Sequence, residues 1–268
     1  MLLPALLPMA GPGYLQGHDH MDPPWRALEL KEALQSGILF PRWSADLFYG
    51  YGFPIFDFYS PLSFYLVAFF DLLLPIDMVQ ATKLAFAATL VAAGLGAYLL
   101  TWCITRRRDA AMLSALFYCY APFMLGDIYV RSSLAGLAGH AFLPYVLAAF
   151  VRLCQGPTLM RTGVAAVCVA IMVLTHNITA VVAIGLSAGL VGVDSLIKRE
   201  VRSLLFTLIA LALGLGATSF FWLPALLDLP FTHTEYLSTG WADYRVHFVN
   251  PLGDVDPTIF NQFGFEAY

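Results

Sequence analysis

Charge is scarce in this 268-residue chain. Asp, Glu, Lys and Arg make up 12% of it, about half the share usual in a water-soluble domain. Hydrophobic residues make up 59%, and mean hydropathy is +0.73. These values exclude an ordinary soluble enzyme and a disordered chain. Basic patches for a phosphate backbone are also missing. The 14 Lys and Arg stand against 18 Asp and Glu, giving a formal net charge of −4, so no nucleic-acid partner is expected. The four cysteines, Cys103, Cys119, Cys154 and Cys168, lie in apolar runs without CxxC or CxH spacing. They read as small packed hydrophobes, not as disulfides or metal ligands. Neither GxxxxGK[ST] nor GxGxxG occurs. ATP or a sugar nucleotide is therefore not expected as a direct cytoplasmic substrate.

What is abundant is long Leu/Ala-rich runs. A chain in lipid must satisfy its own backbone, and runs of this kind suit helices better than barrel strands. The expected fold is all-α, a polytopic transmembrane helical bundle. About 20 apolar residues cross the hydrocarbon. Candidate segments are 1–10 and 61–75, both short, then 79–104, 110–125, 134–153, 163–174, 178–196 and 203–227. Arg106 to Arg108 share one loop, Arg152 and Arg161 flank a second, and Lys198, Arg199 and Arg202 share a third. The positive-inside rule puts all three in the cytoplasm, so 106–108, 152–161 and 198–202 are expected there in a multi-pass inner-membrane protein. Parity then requires 61–75 not to cross. It carries Asp71, ends in Pro75 and reads as interfacial or re-entrant. The domain expectation is a membrane region over 1–227, with an outer loop at 11–78, followed by the start of an extracytoplasmic segment at 228–268. The first run is half a span, contains Pro4 and Pro8 and lacks a basic n-region. A truncated fragment is therefore expected.

The outer loop carries the chemistry. Residues 25–36 repeat apolar positions at helical spacing, which suits an amphipathic helix on the membrane surface. A turn-rich stretch follows, crowded with Phe48, Tyr49, Tyr51, Phe53, Phe56, Phe58 and Tyr59. These rings suit an interfacial belt or a wall for a lipid chain. Asp19, between His18 and His20, can deprotonate a hydroxyl or hold a cation. Asp22, before Pro23 and Pro24, reads as a helix N-cap. Arg131 can fork a phosphate, or anchor at the interface as a partner of Asp127. His140 is expected about 9 Å down its helix, in a polar interior or as a structural histidine. Thr175-His176-Asn177 interrupts an apolar run, which places His176 at a hairpin that can line a cavity. Lys83 either snorkels to the interface or points at a bound anion.

The order of these features resembles a known family. GHDH (17–20), a surface helix and SGILFPRWSADLFYGYGFPIFDFYSPLSFYL (36–66) resemble the outer loop of GT-C-type bacterial membrane proteins, glycosyltransferases that use polyprenyl-phosphate sugars. Within them the chain is similar to the membrane family labelled 6-pyruvoyl-tetrahydropterin synthase-related, a label that brings no pterin chemistry with it. YVRSSLAGLAGHAFLPYVL (129–147) and VLTHNITAVV (173–182) resemble its later motifs, and FVNPL (248–252) the start of its outer segment. The resemblance implies sugar transfer from a polyprenyl-phosphate-linked donor at the extracytoplasmic face. Asp19 would be the catalytic base or metal contact, and Arg131, His176, Lys83 and His140 would hold substrate phosphate. A divalent metal, Mg or Mn, stays open, with His18 and His20 as candidate ligands. The family often places a Glu shortly after the arginine, where this chain has Gly136 and His140. The alternatives are a transporter or lipid-handling protein and a non-catalytic membrane scaffold.

Overall fold

The computed structural model describes residues 2–233, 239, 240 and 243. Most of the segment expected after residue 228, FVNPL included, lies outside them. Among the described residues the fold is all-α, with no strand and a single isolated bridge between Ser44 and Phe53. The chain divides after Trp222.

Pro4 and Pro8 split the first apolar run into a short helix, α1 (Leu3–Leu6), and a 3-10 turn (Leu7–Ala10). The surface helix is α2 (Asp22–Gln35). It lies on α4 (Leu62–Leu73), which follows the one-turn helix α3 (Ile55–Phe58). Leu30 and Ala27 of α2 are fully buried. Lys31 Nζ meets the nearly buried Asp71 carboxylate of α4 at 2.5 Å, and the Arg26 guanidinium sits 4.2 Å over the Tyr59 ring. Asp71 is thereby neutralised. At 12 residues, α4 is about 18 Å long and too short to cross on its own. Asp22 is not a cap. It is the first helical residue, and its carboxylate bonds Arg26 one turn on at 2.5 Å. Pro23 and Pro24 carry no N–H to cap, and the Trp25 N–H goes to Met21 O at 3.2 Å.

The long helices are α5 (Met78–Thr105), α8 (Leu134–Cys154) and α10 (Asn177–Lys198). Each is long and apolar enough to cross a membrane. Asp77 starts α5 by accepting the Gln80 N–H at 2.7 Å, and Arg106 ends it in a left-handed conformation. Small residues let α5 and α8 close up. A Cβ on Gly96 would sit 2.7 Å from the Tyr145 ring, and the Tyr145 hydroxyl donates to Ala92 O at 2.8 Å. Pro144 lies inside α8 and cannot donate to the carbonyl one turn back. That carbonyl, His140 O, instead accepts the Tyr118 hydroxyl at 2.7 Å. Tyr118→Phe is expected to leave it unsatisfied and to destabilise the protein by about 1 kcal/mol, measured as a lower thermal midpoint in detergent.

Two stretches expected as single spans are broken. The 110–125 run forms α6 (Arg108–Cys119) and α7 (Pro122–Tyr129), bent by 41°. Pro122 starts the second helix, because a proline is tolerated in a first turn but not in a helix interior. The 203–227 run forms α11 (Arg202–Ala217) and α12 (Ser219–Asp228), interrupted at Thr218. Counting each pair as one span raises the three candidate spans to five. The expected boundary at 227 falls inside α12, which runs into the second unit and is followed there by a 3-10 turn (Leu229–Phe231). Helix α9 (Leu159–Thr175) has 17 residues, about 26 Å, and is longer than the 163–174 pattern implies. Gly214 brings α11 against it, within close range of Ala166 O and Val169.

The hydrogen bonds fix the two ends of the first unit. Gln155 Nε2 donates to Cys103 O at 2.7 Å, and Lys198 Nζ to Cys154 O at 2.6 Å. The three arginine-containing loops therefore share one end. At the other end Gly139 of α8 packs on His176, at the start of α10. Helices α5, α8 and α10 run parallel, and α9 connects the two ends.

Candidate functional site

Asp127 stands in the last turn of α7, and its side chain is wholly buried. Its Oδ1 takes a 2.9 Å bond from Arg131 Nη1, one helical turn later. Its Oδ2 lies 3.6 Å from His140 Nδ1, with no hydrogen-bond partner of its own. His140 Nδ1 donates to Gly136 O at 2.7 Å, so its ring proton points into the same corner. The Phe123 ring meets the imidazole edge to face at 4.7 Å. Gly136 leaves the corner open: a Cβ there would stand 3.0 Å from Ser133 Oγ and in ordinary contact, at 3.4 Å, with Asp127 Oδ2. Ser132 adopts a left-handed φ of 55°. The chain thus turns sharply after Arg131 and enters α8.

Asp19 comes from far away in sequence. The segment 17–19 docks on the loop after α7 through its backbone. His18 N–H donates to Val130 O at 3.2 Å, and Asp19 N–H to Arg131 O at 2.7 Å. The Asp19 carboxylate then lies 3.9 Å from Arg131 Nη2, and both side chains are about half exposed. Gly17 permits the docking. A Cβ there would stand 2.6 Å from Val130 O and 2.7 Å from the Arg131 carbonyl carbon. Backbone atoms cannot swing aside as a side chain would. Gly17→Ala is expected to lift the segment off the loop and cost about 1–3 kcal/mol. Faster hydrogen exchange at the Asp19 amide would report it.

His176 lies across α8 from this cluster. It ends α9 and caps α10, its Nδ1 accepting from Thr179 N–H at 3.2 Å. The neutral imidazole therefore carries its proton on Nε2. Gly139 makes the approach possible, because a Cβ there would be 2.7 Å from His176 Cβ. The adjoining Asn177 donates from Nδ2 to Phe58 O at 3.1 Å, tying the hairpin to α3. A cavity of about 700 Å³ lies on another face of α8, lined by Ala138, Thr175, Tyr65, Phe69, Ala92 and Phe142 and by none of Asp19, Asp127, Arg131, His140 or His176.

Arg131, Asp19 and His140 thus come together around Asp127, with His176 on the neighbouring helix. Lys83 does not join them. Its Nζ donates to Gly11 O at 2.7 Å, beside a separate cavity lined by Leu6, Tyr14 and Asp77. His20 turns its Nδ1 to Gly17 O at 2.6 Å and lines an apolar cavity of about 460 Å³ with Tyr14, Trp25 and Leu28. His18 reaches the loop through its backbone. Among the described residues no three His, Cys, Asp or Glu form a metal-holding group. Asp19 shares its corner with cationic Arg131, so the donor set does not fit a divalent ion. Asp22, nearby, is held above the ordinary carboxylate range by burial, an effect the Arg26 guanidinium opposes.

The residue that sequence reasoning underrates is Asp127, which it offers only as a partner of Arg131. The i,i+4 spacing from that arginine is a signal. Burial and reach to His140 are not, because they depend on the bend at Pro122.

No curated protein matches the chain. The family described as "6-pyruvoyl-tetrahydropterin synthase related domain; membrane protein" matches residues 56–253. That range holds Asp127, Arg131, His140 and His176, while Asp19 precedes it. With most of its length inside that match and its helices long and apolar enough for lipid, the chain belongs to the 6-pyruvoyl-tetrahydropterin synthase-related family of membrane proteins.

Proposed function

We propose that this protein transfers a sugar from a polyprenyl-phosphate donor to a hydroxyl acceptor at the extracytoplasmic face. The observation that carries the reading is the gathering of Asp19, Arg131 and His140 around buried Asp127, with His176 on the neighbouring helix and an apolar cavity on another face of α8. A phosphate with a long hydrocarbon tail needs both a cation at a membrane boundary and an apolar channel. The arginine-containing loops lie at the opposite end. The positive-inside rule then favours an extracytoplasmic position for the polar cluster.

In this reading Asp19 accepts the proton of the acceptor hydroxyl. The acceptor oxygen forms a bond to the anomeric carbon, and the bond from that carbon to the phosphate oxygen breaks. Polyprenyl phosphate leaves with the extra negative charge. Arg131 is fixed by Asp127 before substrate arrives, so its free N–H groups can meet that charge without reorganising. His176, with its proton on Nε2, can donate to the same oxygens, and His140 can do so from Nε2 only in its protonated form. The test is transfer from radiolabelled polyprenyl-phosphate hexoses by the full chain in nanodiscs, with the Asp19→Asn variant beside it. Transfer that is abolished by Asp19→Asn supports the reading.

The second reading is lipid handling without bond chemistry. It is favoured by the half-exposed Arg131 guanidinium, which can hold a lipid phosphate without a proton acceptor. Movement of labelled lipid across proteoliposomes with no covalent product would put it first.

A further inference from the structure

The arginine end holds a second cavity, of about 710 Å³. It lies between α5, α8 and α9. Its mouth carries Arg106, Arg152 and Arg161, and its walls are apolar, among them Leu99, Val164 and Trp102. Leu99 is 40% exposed, Val164 49% and Met160 82%, so the groove opens sideways to where acyl chains would lie. Its charges meet carbonyls at most, not carboxylates. Arg161 Nη1 donates to two carbonyls, Arg152 O at 3.0 Å and Gly156 O at 2.5 Å. Among the described residues no carboxylate lies within 4.0 Å of Arg106, Arg152 or Arg161. Two of the acids at this end are already paired. Asp109 is bonded to Arg107 at 2.5 Å, and Asp194 to Lys198 at 2.8 Å.

We propose that this groove binds an anionic phospholipid, with its phosphodiester between Arg106, Arg152 and Arg161 and one acyl chain along α5 and α9. Three guanidinium groups at one mouth call for a counterion that the described residues do not supply. Guanidinium forks suit phosphate oxygens. A basic pocket between membrane helices with apolar walls below it matches a lipid headgroup with its chains attached, where a free phosphate would leave those walls empty. The site is distinct from the Asp127 cluster, which is separated from it by most of α8, a helix about 31 Å long.

The test uses the full chain in phosphatidylcholine nanodiscs doped with a low, equal mole fraction of brominated phosphatidylglycerol or brominated phosphatidylcholine. Bromine quenches indole fluorescence at short range, and Trp102 lines the groove. The expected result is stronger quenching by the anionic lipid, an excess that disappears in Trp102→Phe. Inorganic phosphate at millimolar concentration should leave the excess in place. The Arg106→Gln/Arg152→Gln double variant is expected to weaken the preference for phosphatidylglycerol about tenfold or more. Arg108→Gln/Arg202→Gln removes the same charge at the same end outside the groove and should leave it unchanged. Equal quenching by the two lipids in the wild-type chain would overturn the proposal without any variant having to fold. An equal loss in both double variants would also overturn it, since that would mean general attraction to an anionic surface.

Discussion

Asp19→Asn is expected to lower sugar transfer by about 10²–10⁴-fold, the range for removing a general base, while leaving the fold intact. The backbone explains the second half. The Asp19 N–H bond to Arg131 O survives in asparagine, and the carboxylate is about half exposed. Its 3.9 Å approach to Arg131 is worth little at that exposure. Binding of the donor lipid should therefore persist as catalysis fails, which separates a proton acceptor from a binding residue. An Asp19→Asn protein that transfers sugar at the wild-type rate would remove the assignment. The lipid-handling reading would gain only if the same preparation moved lipid without making product.

Arg131→Met should act on stability as well as activity. It leaves the Asp127 carboxylate, wholly buried, with only His140 at 3.6 Å. An uncompensated buried charge costs about 3 kcal/mol or more, which lowers the thermal midpoint on the order of 10 °C in a chain of this size. Adding Asp127→Asn removes the buried charge. The double variant should recover most of the lost stability but not the donor binding, because the phosphate-facing cation is still gone. Recovery of both would mean that Arg131 serves only as a counterion. Recovery of neither would mean that the corner between α7 and α8 depends on more than this pair.

Part of this arrangement is legible in the order of the amino acids. Helices α5, α8 and α10 announce themselves by length, and the arginine loops that end them fall together. The breaks do not announce themselves. Pro122 is visible in the sequence, but the 41° bend it accompanies decides where Asp127 points. Helical spacing alone runs straight through it. Asp22 misleads because an acid before two prolines fits a cap, whereas its carboxylate is taken by Arg26. His140 and His176 are each legible as polar residues in apolar surroundings. Their placement on adjacent helices rests on Gly139, whose missing side chain carries no signal of what it faces. Lys83 looks equivalent to Arg131 as a cation near a helix end. A carbonyl 72 positions away, Gly11 O, holds it elsewhere, and long-range partners of that kind leave no local pattern.

The measurement that bears most directly on the account is labelling of intact cells with a membrane-impermeant thiol reagent, using Asp19→Cys and Arg107→Cys in a chain whose native cysteines are replaced. Position 19 is expected to react from outside and position 107 only after the membrane is opened. Reaction of position 107 in intact cells, or of both positions from the same side, would contradict it.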